Sequence, residues 1–65
     1  MLTNDEMKIF RLIAKGYSNK EINKTLEIPE STIGKIIKSI LEKTGARNKV
    51  HLAYLAAQMG LRIDE

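Results

Sequence analysis

Ser18-Asn19-Lys20-Glu21-Ile22-Asn23-Lys24-Thr25-Leu26-Glu27-Ile28-Pro29-Glu30-Ser31-Thr32-Ile33-Gly34-Lys35-Ile36-Ile37-Lys38-Ser39-Ile40-Leu41 is the stretch whose reading decides the fold. It opens on a capping box, because the Ser18 hydroxyl can accept from an early backbone N–H while the Glu21 carboxylate reaches back to the cap N–H. Ile22 and Leu26 then form an i, i+4 pair, which predicts a short helix over about 19–26 with one buried face. Asn19, Lys20, Asn23 and Lys24 point elsewhere. Glu27-Ile28-Pro29 is a tight connector, since proline suits the first turn of a helix and not its interior. Beyond it, Ile33, Ile36, Ile37, Ile40 and Leu41 fall at i, i+3, i+4, i+7 and i+8. That spacing predicts an amphipathic helix over about 30–44, with Gly34, Lys35, Lys38, Ser39 and Glu42 on the opposite face. Two helices joined by three residues, the second with lysines outward, have the shape of a helix-turn-helix.

The flanking sequence adds one helix on each side. Thr3 and Glu6 form a second capping box, and Met7, Phe10, Ile13 and Ala14 make an apolar stripe widened by Ile9 and Leu12. Lys15-Gly16 is a stop, which places this helix at about 4–15. Gly45 ends the third helix. Asn48 caps a fourth, with His51 at its third position, and Gly60 stops it after about residue 59. Leu52, Leu55, Ala56 and Met59 form its buried stripe, with Ala53 and Ala57 as a small-residue stripe beside it. No segment alternates with period two, so the expected class is all-α, a compact four-helix domain over residues 1–65.

Composition narrows the function. The 65 residues carry 11 Lys and Arg against 8 Asp and Glu, a net charge of +3, and no cysteine. One small domain fits, and a barrel or a doubly wound sheet does not. Without cysteine there is no disulfide framework, thiol nucleophile or Cys-ligated zinc. His51 stands alone, so no metal and no cofactor is expected. Ser18, Ser31 and Ser39 lack a His–Asp context, and the four glycines are too dispersed for a phosphate loop. The expectation is a non-enzyme. With neither signal peptide nor membrane span, cytoplasm is the expected location. The modest positive balance suits an anionic partner.

Residue by residue, the chain resembles the LuxR/GerE-type helix-turn-helix family. Leu2-Thr3 with Glu6, Ile9 and Phe10 is similar to the family opening L-T-x-x-E-x-x-V-L. Ile13-Ala14-Lys15-Gly16-Tyr17-Ser18-Asn19-Lys20-Glu21-Ile22 is close to I-A-x-G-x-S-N-K-E-I-A. Leu26, Ile28, Thr32 and Ile33 match L-x-I-S-x-x-T-V. Ile40-Leu41-Glu42-Lys43-Thr44-Gly45 with Arg47-Asn48-Lys49 resembles I-L-x-K-L-G-v-x-N-R, and Leu52-Ala53-Tyr54 through Gly60-Leu61 resembles the family tail. The similarity covers nearly the whole chain without gaps. It implies a bacterial, DNA-binding transcriptional regulator whose third helix enters the major groove. The 65 residues leave no room for a receiver or ligand-sensing domain, so the expected form is a domain that stands alone, with a domain trimmed from a longer protein as the alternative.

The resemblance also implies roles. Gly34, Lys35 and Lys38 occupy the base-reading positions. Lys20, Thr32 and Lys49 match phosphate contacts, and Lys24 and Ser31 are further candidates. Lys20 and Lys24 serve equally well as solubilising side chains of a short exposed helix. Taken without the resemblance, Lys35 and Lys38 could equally be a solvated face; with it, base contact is the favoured reading. Ala53, Tyr54 and Ala57 are the candidate surface for a homodimer through the fourth helix. Four positions depart from the family: Gly34 replaces a usual Lys, Ile36 a His, Pro29 a capping Ser, and Asn23 an Ala. Ile36 is expected in the core, with exposure to a partner as the alternative. The changes at Pro29, Gly34 and Ile36 bear on groove readout more than on fold. They motivate a second reading, a protein-interaction module that pairs with a larger response regulator of the same family and blocks or redirects it.

Overall fold

The computed structural model describes residues 2–60. Four helices follow one another: α1 (Asn4–Ala14), α2 (Asn19–Leu26), α3 (Glu30–Thr44) and α4 (Lys49–Gln58), with no strand among the described residues. The fold is all-α. Lys15 and Met59 fall just outside α1 and α4 as their C-caps, and the cap N–H of each closes the last turn on several carbonyls.

Both capping boxes form. The Thr3 hydroxyl accepts from the Glu6 N–H at 3.1 Å while the Thr3 N–H donates to the Glu6 carboxylate at 2.8 Å. Ser18 and Glu21 repeat the pattern at 3.1 and 2.7 Å. Asn48 caps α4 by accepting the His51 N–H at 2.8 Å. Pro29 caps α3 in extended geometry with no side-chain hydrogen bond. Its fixed φ of −55° already suits the entry into a helix, so conformational restriction stands where a side-chain acceptor would.

The core is built mostly from isoleucine. Ile9, Phe10 and Ile13 of α1, Ile22 of α2, Ile33, Ile37 and Ile40 of α3, and Leu52 and Ala56 of α4 are buried together. Isoleucine is a middling helix former, so burial rather than propensity holds these helices, at roughly 1.5–3 kcal/mol for each fully buried side chain. Ile36 is half-buried and packs on the edge of this core, as do Met7, Leu12, Leu26 and Leu41. Met59, placed in the buried stripe by its spacing, is 63% exposed because α4 ends before it and the chain turns at Gly60.

Glu6 is the one buried charged residue among those described. Beyond its capping role, its carboxylate accepts from Lys43 Nζ at 2.8 Å and from Ser39 Oγ at 2.7 Å, tying the start of α1 to the second half of α3. Ser39, assigned by spacing to the outer face of α3, turns inward to meet it. The Lys43 ammonium, then the Thr3 N–H, then the Ser39 hydroxyl hold the Glu6 carboxyl at about 2, well below its ordinary 4.5. These contacts favour the ionised form, so their stabilisation is complete above pH 4.5 and drains away as pH falls towards 2. The Glu6→Gln variant is expected to be less stable than the parent at pH 7 and to lose less stability on acidification through that window. Thermal unfolding followed by circular dichroism from pH 7 to pH 2 checks both statements.

Candidate nucleic-acid interface

The geometry of the candidate site begins with the α2–α3 turn. Ile22 of α2 and Ile33 of α3 are both fully buried, so the two helices share one packing face. Between them the chain reverses over residues 27–29. Glu27 takes the left-handed conformation, with φ 58° and ψ 39°, and its N–H donates to the Asn23 carbonyl at 2.8 Å. Asn23 braces the same turn from the other side, its Nδ2 donating to the Ile28 carbonyl at 2.7 Å. This explains a departure from the family pattern: where the family has Ala, this chain has an amide that ties α2 to the residue before Pro29. A carbonyl left without a helical partner is satisfied, and the direction in which α3 leaves the turn is set.

The buried stripe Ile33, Ile37 and Ile40 then fixes the rotation of α3 about its axis. Ser31, Gly34, Lys35 and Lys38 follow at i, i+3, i+4 and i+7 on the opposite side, and all four are exposed. Thr32 is exposed beside them in the first turn. On α2, Lys20 and Lys24 are exposed as well. Among the described residues the one ion pair is Lys43 with Glu6, so none of Lys20, Lys24, Lys35 and Lys38 has an ion-pair partner there. Lys49 differs. It is half-buried, and its ammonium donates to Asn19 Oδ1 at 2.8 Å, joining the first residue of α4 to the first residue of α2. The structure therefore brings Lys49 next to the α2 N-terminus, with two N–H donors still available on its ammonium.

α4 presents a second surface. Tyr54 and Ala57 are exposed, whereas Ala53 is half-buried against the core and offers a partner only part of its surface. Tyr54 is held by its own helix: it stacks on His51 with ring centroids 6.5 Å apart, and its hydroxyl accepts from Gln58 Nε2 at 3.0 Å. His51 in turn accepts the Arg47 N–H through Nδ1 at 3.0 Å, so it braces the α3–α4 turn. Spacing did not single out Val50, which is 81% exposed. The signal was available, because Val50 lies two residues from buried Leu52 and a two-residue step turns about 200° round a helix. Apolar residues thus stand on both sides of α4.

This geometry, a braced three-residue turn leading into a helix with cations outward, agrees with the comparisons. The family described as bacterial regulatory proteins of the luxR family, GerE, matches residues 1–56. The chain belongs to this family. Relatives include the response regulator protein VraR of Staphylococcus aureus strain NCTC 8325, of Staphylococcus saprophyticus and of Staphylococcus epidermidis. Each is 39% identical over 61 residues, covering 94% of this chain. The chain spans 29% of the length of those relatives. Among the described residues of this luxR-family helix-turn-helix there is no group of acidic, His or Cys side chains placed to hold a metal, and no helix long and apolar enough to cross a membrane.

Glu27 supplies a test of the turn. A left-handed conformation is costly for a residue with a Cβ and free for glycine. Glu27→Gly is expected to raise the unfolding free energy by about 0.5–1 kcal/mol, measured by urea titration.

Proposed function

We propose that this luxR-family chain is a DNA-binding transcriptional regulator that lays α3 in the major groove. The observation that carries the reading is the α3 face opposite the buried isoleucines, where Lys35 and Lys38 are exposed and without counter-ions among the described residues. A helix about 10–12 Å across matches a groove about 12 Å wide. Lys35 and Lys38 would meet base edges, for which a lysine ammonium suits the O6 and N7 acceptors of guanine. Lys20, Lys24, Ser31, Thr32 and Lys49 would meet phosphates, setting register without reading sequence. Asn19 would position the Lys49 ammonium for that contact. The location that goes with this function is the cytoplasm.

Pairing through α4 completes the reading. Tyr54 and Ala57, with the exposed edge of Ala53, would form the centre of a two-fold interface, and the exposed Val50 would join them. A two-fold dimer reads half-sites separated by about 34 Å, one turn of duplex. Ala57→Arg would place like charges opposite each other across such an axis. It is expected to abolish dimers in sedimentation equilibrium while leaving the helical spectrum intact; unchanged self-association would remove α4 from the interface.

The decisive experiment is selection from a random-sequence duplex pool, followed by titration of the enriched duplex near 50 and 200 mM salt. Affinity is expected to fall steeply with salt, with a log–log slope of about −0.9 for each phosphate neutralised. Lys35→Ala and Lys38→Ala are each expected to relax sequence preference at a cost of about 1–3 kcal/mol, whereas Lys20→Ala should weaken all sequences alike and flatten the slope by about 1. No enrichment, and no duplex binding at the lower salt, would reject the reading in favour of a protein partner.

A further inference from the structure

Gly34 has no packing explanation among the described residues. The other three glycines, Gly16, Gly45 and Gly60, sit at helix ends with φ between 75° and 90°, a conformation that excludes most residues with a Cβ. Gly34 lies within α3, in ordinary helical geometry. A Cβ built on it meets nothing within 4 Å, so no neighbouring helix crosses close to its backbone. Glycine is among the weakest helix formers, and here it sits exposed on a helix that three other helices rely on for packing. Within the fold, almost any side chain would be tolerated and most would improve helix stability.

The place of this glycine on the surface gives it a use. Ser31, Gly34, Lys35 and Lys38 share the outward face, so the smallest side chains of that face come first and the two long cations follow. At Gly34 this face exposes bare backbone between the Ser31 hydroxyl and the two lysines, with the exposed Glu30 one turn before it. We propose that duplex DNA packs directly against the α3 backbone at Gly34. The missing side chain lets the helix sit deeper in the major groove and leaves direct base readout to Lys35 and Lys38. Gly34 is then a specificity-determining position through close approach rather than through a side-chain contact. This inference rests on the DNA-binding reading above.

The test separates fold from binding with two variants, Gly34→Ala and Gly34→Lys, against the duplex enriched by the parent chain. Gly34→Ala is expected to raise the thermal midpoint by about 4–8 °C, because it relieves only a helix-propensity cost. It is also expected to weaken binding to that duplex by about tenfold or more, because a methyl group enters the contact plane. Gly34→Lys should bind that duplex more weakly than the parent even though it adds a positive charge. Undiminished affinity in Gly34→Ala, or tighter binding in Gly34→Lys, would overturn the close approach; if Lys35→Ala and Lys38→Ala still lose sequence preference, the DNA-binding reading survives that result. A lowered midpoint in Gly34→Ala would also overturn it, by showing that the fold itself needs the glycine. A parent chain that enriches no duplex overturns both the inference and the reading beneath it.

Discussion

The burial of Ile33, Ile37 and Ile40 along one side of α3 is the constraint on which the rest of the molecule hangs. α3 packs against each of the other three helices, α1, α2 and α4. Its inward stripe therefore organises the core and at the same time fixes the rotation of the outward face. Turning α3 by one residue, about 100°, would bury a lysine or expose an isoleucine. Either change costs more than a small domain can spare, because total stabilities are only about 5–15 kcal/mol. The direction in which Lys35 and Lys38 point is in this sense a by-product of where the isoleucines must go.

Polar contacts refine what apolar burial leaves loose. An isoleucine-lined interface resists rotation more strongly than sliding, since neighbouring aliphatic side chains are interchangeable. Glu6 supplies a fixed point: one carboxylate receives the Thr3 N–H, the Ser39 hydroxyl and the Lys43 ammonium, which pins the start of α1 to a particular turn of α3. Asn23 does the same at the other end of α3 by holding the Ile28 carbonyl. Lys49 and Asn19 join α4 to α2. No buried side-chain nitrogen or oxygen among the described residues lacks a partner, so these contacts add specificity without an orphaned group.

The departures from the family pattern divide by what the structure makes of them. Asn23 has a structural role in the turn. Ile36 packs at the core's edge, so replacing a polar ring there extends the apolar face. Pro29 exchanges a side-chain cap for a preset backbone angle. Gly34 alone acquires no role from the other described residues, and it lies on the surface that the function would use.

The sequence by itself determined the helices, because capping and period are local. Thr3 with Glu6, Ser18 with Glu21, and Asn48 before His51 each specify a helix start within four residues, and the isoleucine spacing of α3 is legible without any knowledge of its neighbours. The outward placement of Lys35 and Lys38 followed from that same period. Only the tertiary structure decided what depends on residues distant in the chain. Ser39 lies 33 residues from Glu6 and Lys43 lies 37 away, so nothing local could reveal that a capping carboxylate doubles as a buried inter-helix anchor. The half-burial of Ala53 likewise depends on how α4 is rotated against its neighbours, because a small residue beside the buried stripe carries no local sign of how far the next helix covers it.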